Sequence, residues 1–348
     1  MRIAILVHEV AEDFDVVVAG GGIGGLTAAV HAARMGRSTL VLGGMAPGGL
    51  LLSIEQIDGV PGFPEGVPGY ELCPMLQDQA ADAGAEFRMD ELTGIAPSGE
   101  GWRIATGDGD VHARAVILAT GARLKALGVD GEERLRGRGV SHCASCDAPL
   151  MRDRVVGVVG GGDSALQEAL TLAEAVGEVI VLHRGDALGA QAAYRDRALA
   201  HRKITVRYGT VVEEILGDET VTGLRVRGVS SDETEELEVG GVFVYVGLQP
   251  NTELLRDRLE LDVDGRVPTD ATMQTELPGV LAAGILRRGS LGQAAISAGE
   301  GAAAAKAADR YLSDGSWGKR TDGSWGERSG ALAAGSAART AGNGGSHG

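Results

Sequence analysis

The chain has 348 residues, of which 44% are apolar and 3% aromatic, enough for two domains that each bury a core. Its formal net charge of −16 gives an acidic surface that disfavours nucleic acid and anionic lipid as partners. No apolar run approaches the roughly 20 residues of a membrane helix. With three cysteines and no secretory signal at its start, the sequence predicts a protein of the reducing cytoplasm.

The first predicted unit is a strand, a glycine turn and a helix. Residues 15–19 are a β-branched run, residues 20–25 are rich in glycine, and an alanine-rich helix is predicted to about residue 35. Residues 38–42 then form a second predicted strand. A G-x-G-x-x-G turn in this context holds the pyrophosphate of a dinucleotide, with an ordinary tight turn as the alternative. The candidate ligands in this turn are Gly20, Gly22 and Gly25.

The chain then passes through a loop rich in proline and glycine at residues 59–66 and a predicted helix at residues 70–83. Cys73 lies in this helix among apolar residues, so it is predicted to be a buried small side chain and not a redox thiol. Strands follow to residue 121, and charge and glycine rise over residues 123–138. This change of composition predicts a crossing between domains.

A dithiol comes next, at Cys143 and Cys146, with Asp147 directly behind it. Two thiols at this spacing on a loop that enters a helix can close and reopen a small disulfide ring. The start of a helix favours the thiolate, and an adjacent carboxyl group can carry the proton. Half of a zinc site is the alternative, but zinc needs about four ligands and the sequence has no second such pair. The motif therefore predicts redox chemistry.

The strand, turn and helix pattern then repeats. Residues 155–159 predict a strand, residues 160–165 a glycine turn, the following residues a helix, and residues 179–182 another strand. A basic pair ends this strand, and its arginine can bind a 2′-phosphate, which favours NADP over NAD. A solvated charge is the alternative. The candidate cofactor residues here are Gly160, Gly162, Ser164, Ala165, His183 and Arg184.

The last predicted elements, a strand near residues 278–284 and a helix from about Gln293 to Leu312, are expected to return to the first domain. The predicted fold is therefore α/β, with two Rossmann-like dinucleotide-binding domains, the second inserted in the first. Residues from Ser313 onward lack periodicity and repeat one segment, so they predict a disordered tail. The expected limits are 13–124 with 248–312 for the first domain, 125–247 for the inserted domain, and 313–348 for the tail.

In this order the motifs resemble the low-molecular-weight, bacterial-type thioredoxin reductases, which are two-domain pyridine nucleotide-disulfide oxidoreductases. The likeness runs from about residue 13 to residue 312 and includes PGFPEG, ATGA, CASCD, VGLQPN and PGVLAAG. The resemblance implies a homodimeric flavoprotein with FAD on the split domain and NADPH on the inserted domain. Electrons would pass from NADPH through FAD to the dithiol, and on to thioredoxin or a thioredoxin-like protein disulfide.

The resemblance also implies a role for individual residues. Cys146 would face the flavin, Cys143 would attack the partner disulfide, and Asp147 would be the acid. Further cofactor-binding positions carried over from the family pattern are Gly49, Thr120, Gly121, Gly284, Gln293 and Ala294.

Several positions depart from the family pattern, and most of them concern the flavin. Two acids that would hold FAD are replaced by Gly43 and Ile285, and losing both could cost about two to four decades in affinity. The other departures at the flavin are Leu50, Gly59 and Gly292. On the NADPH side two arginines are replaced by Gly185 and Gly189. We therefore expect FAD to bind more weakly, and NADPH to be preferred only modestly.

Two other functions remain open on the same scaffold. A flavin-dependent dithiol oxidase would pass electrons from a small dithiol to oxygen, and the reduced basic cluster favours it. A non-catalytic relic would keep the fold as a binding module, which Gly43 and Ile285 favour. The intact Cys143, Cys146 and Asp147 disfavour the relic.

Overall fold

The structure is a computed structural model that describes residues 12–44 and 47–317. The chain divides into two compact units. The first comprises the described residues up to Leu51, Ile57–Ala122 and the described residues from Pro250 onward, and the second comprises Leu52–Gln56 and Arg123–Gln249. Each unit contains a sheet with parallel strands, together with helices, so the predicted α/β fold with an inserted second unit is confirmed.

The first unit has a mixed sheet of seven described strands: β1 (Glu12–Ala19), β2 (Thr39–Leu42), β3 (Glu86–Arg88), β4 (Gly94–Ser98), β5 (Gly101–Ala105), β6 (Val111–Leu118) and β17 (Val280–Ala282). Their order is β3-β2-β1-β6-β5-β4, and β17 pairs with the second half of β6. The first four strands in this order and β17 run parallel, whereas β5 and β4 are antiparallel additions.

The described part of this unit has three α-helices: α1 (Ile23–Arg34), α2 (Gly69–Asp82) and α6 (Ala294–Asp314). Helices α1 and α6 approach closely because glycines make the contact. A Cβ at Gly301 would lie only 2.0 Å from the carbonyl oxygen of Gly24. This packing holds the start of α6 close to the first glycine turn.

Helix α6 runs two residues past its predicted end at Leu312 and is capped by Gly315 in the left-handed conformation. The ring of Trp317 packs edge-on against Tyr311, with ring centroids 5.1 Å apart. The expectation of disorder from Ser313 is therefore wrong for 313–317, because this apolar contact orders the segment. The remaining part of the predicted tail, 318–348, lies outside the described residues.

The chain passes between the units through the short strands β7 (Ala122–Leu124) and β16 (Leu248–Pro250). The second unit has a parallel sheet of five strands: β8 (Val140–Ser141), β9 (Val155–Val159), β10 (Glu178–Leu182), β11 (Ile204–Arg207) and β15 (Gly241–Val244). Their order is β11-β10-β9-β15-β8, and a separate antiparallel sheet has three strands. The antiparallel strands are β12 (Thr210–Leu216), β13 (Gly223–Gly228) and β14 (Thr234–Glu238), and the helices are α3 (Ala144–Asp147), α4 (Asp163–Ala175) and α5 (Ala192–Ala200).

In both units the carboxyl ends of the parallel strands carry the glycine turns, which is the edge where nucleotides bind in such sheets. None of the helices within residues 12–44 and 47–317 is long and apolar enough to cross a membrane.

Candidate active site and cofactor sites

The dithiol lies at the start of α3, where Cys143 and Cys146 form a disulfide. Cys143 is the residue that caps α3, and its backbone N–H donates to the hydroxyl of Ser141 at 3.0 Å. The backbone N–H of Cys146 donates to the sulfur of Cys143 at 3.3 Å. After reduction this N–H would stabilise negative charge on Cys143 more than on Cys146, so the two sulfurs are chemically unequal.

The residues around the disulfide differ in exposure. Cys146 is exposed, whereas Cys143 and Asp147 are half-buried. The ring of His142 is fixed because its Nδ1 donates to the carbonyl oxygen of Val244 in β15 at 3.0 Å. His142 therefore anchors the loop to the sheet. The third cysteine, Cys73, is buried in the other unit, and burial raises the pKa of its thiol, as its predicted structural role requires.

A buried carboxyl group that the sequence analysis did not identify lies next to the dithiol loop. Glu168 of α4 is only 7% exposed, and the backbone N–H of Ala144 hydrogen-bonds to it. Burial raises the pKa of Glu168 to about 7, and repulsion from Glu55 adds to the effect. Burial first, and then the Glu168 carboxylate, raise the pKa of the nearby Tyr245 hydroxyl. The sequence carried a signal for this group, since Glu168 falls on the same helical stripe as the buried Ala165, Ala169 and Leu172.

Glu168→Gln should change how stability depends on pH. In the wild type the carboxyl group stays protonated in the folded state up to about pH 7, whereas in the unfolded chain it ionises from about pH 4.5. Wild-type stability should therefore fall by up to about 3 kcal/mol as pH rises through this interval, and a neutral amide should escape the loss. The measurement is urea unfolding at pH 5 and pH 8, at equal flavin content.

The matched control is Glu174→Gln, because Glu174 is exposed on the same helix. From pH 5 to pH 8 the free energy of unfolding of Glu168→Gln should increase relative to that of the wild type. The difference between the control and the wild type should be the same at both pH values. A difference that is equal at both pH values for Glu168→Gln would contradict the raised pKa.

The first glycine turn is built so that backbone approaches backbone. A Cβ at Gly25 would lie 1.9 Å from the carbonyl oxygen of Gly20, and Gly20 itself has a φ of 124°. Gly22 caps α1, and apart from its two chain neighbours no described residue lies within 4 Å of where its Cβ would be. Gly49, with a φ of 58°, begins a short 3-10 helix and lies beside Gly22. The start of α1 thus faces open space of the kind that a pyrophosphate occupies, and this cradle fits FAD.

Two of the other residues predicted to bind flavin, Thr120 and Gly121, follow the end of β6. The hydroxyl of Thr120 donates to the carbonyl oxygen of Asn251 at 2.8 Å, and the backbone N–H of Asn251 donates to the carbonyl oxygen of Gly121 at 3.0 Å. Thr120 and Gly121 therefore connect the segment after β6 to the segment around Asn251 at the edge of the sheet. Gln293 caps α6, and Ala294 is the first residue of that helix.

The loop between β17 and α6 is organised by an ion pair that the sequence did not reveal. The carboxylate of Glu300, buried in α6, accepts the backbone N–H of Gly284 at 2.8 Å. It also pairs with Arg287 at 2.5 Å. In the same loop Ile285 lies against Gly292, since a Cβ at Gly292 would be 3.1 Å from its Cδ1. An apolar contact thus occupies two of the positions where the family pattern has polar side chains.

The second glycine turn has the same kind of backbone contact as the first, but the contact is less close. A Cβ at Gly160 would lie 2.4 Å from the carbonyl oxygen of Tyr245 and 2.9 Å from the Cβ of Ala165. Gly162 caps α4 and again, apart from its two chain neighbours, has no described residue within 4 Å of its Cβ position. Ser164 and Ala165 lie in the first turn of the same helix. This turn fits a second nucleotide.

His183 and Arg184 follow β10 beside this turn, but their side chains have different surroundings. The His183 ring lies on the turn, since a Cβ at Gly161 would be 2.2 Å from its Nδ1, and its Nε2 donates to the carbonyl oxygen of Ala187 at 2.9 Å. Arg184 is exposed and makes no ion pair or side-chain hydrogen bond with any of residues 12–44 and 47–317. His183 therefore shapes the site, and Arg184 is the cation available to a ligand.

A chain with two nucleotide turns at the carboxyl edges of parallel sheets, and a disulfide in one unit, has the parts of a pyridine nucleotide-dependent disulfide oxidoreductase. Residues 14–301 match the family described as pyridine nucleotide-disulphide oxidoreductase, and the chain belongs to it. The predicted family, enzyme class and cofactors, FAD and NADPH, are thereby confirmed.

Relatives in this family are named thioredoxin reductase. That of Mycolicibacterium smegmatis is 42% identical over 301 residues, which are 86% of this chain and 97% of the relative. That of Treponema pallidum is 39% identical over 300 residues, with the same two shares covered. The crystal structure of the Lactococcus lactis thioredoxin reductase superposes with a TM-score of 0.84 at 36% identity, covering 86% of this chain and 99% of that one.

Proposed function

We propose that this protein is an NADPH- and FAD-dependent disulfide reductase that acts on thioredoxin or a thioredoxin-like protein, as a homodimer in a reducing cytoplasm. The observation that carries the proposal is the Cys143–Cys146 disulfide at the start of α3, in the unit that also holds a nucleotide turn. The names of the relatives support the choice of partner.

The balance of the proposed reaction is simple. When bound, FAD supplies a relay for two electrons between the nicotinamide and the disulfide. The hydride of NADPH brings two electrons and one proton, and one further proton converts the Cys143–Cys146 disulfide into two thiols. The sulfur of Cys143, which faces the backbone N–H of Cys146, attacks the partner disulfide as a thiolate. Cys146 then attacks the sulfur of Cys143, which re-forms the enzyme disulfide and releases the second partner sulfur. Asp147 carries the protons from the enzyme thiols to the two partner sulfurs that leave.

The two cysteines should behave differently when replaced. Cys143→Ser should abolish NADPH-dependent reduction of thioredoxin, because it removes the attacking sulfur. Cys146→Ser should also abolish turnover, but it leaves the attacking thiol in place, so a mixed disulfide with thioredoxin should accumulate on non-reducing gels. The control Cys73→Ala removes the buried thiol of the other unit and should keep turnover. Turnover by Cys143→Ser would show that electrons leave the enzyme by another route.

Arg184→Ala should separate the two nicotinamide nucleotides. Because Arg184 is the exposed cation at the end of β10, its loss should raise the KM for NADPH about tenfold and leave the KM for NADH nearly unchanged. Steady-state kinetics with both nucleotides measure this, and Arg202→Ala, an exposed arginine of the same unit, is the control. Equal effects on both nucleotides would mean that Arg184 does not bind the 2′-phosphate.

A further inference from the structure

The end of β2 lacks a side chain where a dinucleotide fold ordinarily carries an acid. In such folds a carboxylate about 20 residues after the glycine turn accepts hydrogen bonds from the ribose hydroxyls. Here β2 ends at Leu42 and is followed by Gly43 and Gly44. The strand end packs closely on the turn, since a Cβ at Gly21 would lie 3.0 Å from the Cα of Gly43. A Cβ at Gly43 would in turn lie 3.2 Å from the Cγ of Pro47. The end of β2 itself therefore offers no carboxylate to a ribose.

Glu91, on the loop after β3, brings a carboxylate to this place. Its Oε1 lies 3.0 Å from the position that a Cβ of Gly44 would occupy, and its Cγ and Cδ lie within 3.7 Å of the same point. The two chain segments stay side by side past the ends of β2 and β3. The N–H of Gly43 donates to the carbonyl oxygen of Arg88, and the N–H of Gly44 donates to that of Asp90, each at 3.1 Å. The Glu91 carboxylate thus lies against the end of β2.

The loop that presents Glu91 is held by its neighbour Asp90. The Asp90 carboxylate accepts the backbone N–H groups of Glu91 at 2.7 Å and of Gly107 and Asp108 at 3.0 Å each. A hydrogen bond from Thr106, together with these N–H groups, lowers the pKa of Asp90 to about 2, so it stays ionised and keeps the loop in place. The Glu91 carboxylate itself accepts no hydrogen bond and forms no ion pair within the described part of the chain.

We propose that Glu91 is the carboxylate that binds the adenosine ribose of FAD, supplied by the loop after β3 in place of an acid at the end of β2. A carboxylate has two oxygens and can accept a hydrogen bond from each of two neighbouring hydroxyl groups. This inference rests on the proposed flavoenzyme function and concerns one residue of its cofactor site. It also revises the expected loss of affinity, since Glu91 would replace the acid missing at Gly43 from the loop after β3.

The test measures flavin binding and not activity. Full-length protein freed of flavin is titrated with FAD and, separately, with FMN, which lacks the adenosine, and binding is followed by the change in flavin fluorescence. Glu91→Gln should weaken FAD binding about 10- to 100-fold, which is the loss of a hydrogen bond to a charged group, and leave FMN binding unchanged. The control is Glu86→Gln, because Glu86 is an exposed acid of β3 itself, and it should bind both flavins as the wild type does.

The outcomes separate the inference from the function on which it rests. Wild type that binds FAD, with Glu91→Gln binding it equally well, overturns the role of Glu91 and leaves the flavoenzyme standing. An equal loss of FAD and FMN affinity in Glu91→Gln also overturns that role, because FMN has no adenosine ribose. Wild type that binds neither flavin overturns the proposed function and this inference with it.

Discussion

Both halves of this protein depend on the close approach of backbone to backbone at a strand-to-helix turn. In the first unit the fit is so tight that a single methyl group at Gly25 would overlap the carbonyl oxygen of Gly20. This contact directs the N-terminus of α1 toward open space at the carboxyl edge of the sheet. The second unit repeats the arrangement with Ala165 in place of the third glycine. Each unit thereby acquires a place for the phosphates of one nucleotide.

The redox group depends on a second arrangement, in the inserted unit. The capping position of Cys143 makes one sulfur the acceptor of a backbone N–H and leaves the other exposed, so the disulfide is asymmetric before any partner binds. Glu168 supports the same turn from beneath, through the backbone of Ala144. Because burial raises its pKa to about 7, this buried group can hold a proton near neutral pH.

Much of the fold and of the candidate site could be predicted from the sequence, because the strands, the glycine turns and the CASCD segment are local patterns. The missed residues share a physical reason, since each acts on a segment outside its own helix or loop. Glu91 reaches the end of β2, and Glu300 reaches the loop before its own helix. The end of α6 was predicted two residues too early because the packing of Trp317 on Tyr311 cannot be read from periodicity. The substitutions at Gly43 and Ile285 indicated a weakened flavin site, and only the fold shows that the Glu91 carboxylate lies against Gly44, the residue after Gly43.

The central claim is that electrons from NADPH reach the Cys143–Cys146 disulfide. It is tested most directly by adding NADPH, without oxygen, to flavin-loaded protein, quenching in acid and counting thiols in denaturant. The account predicts one thiol per chain before NADPH, from Cys73, and three after it, since one disulfide yields two thiols. A count that stays at one in flavin-loaded protein would contradict the account, because NADPH would then not reduce the disulfide.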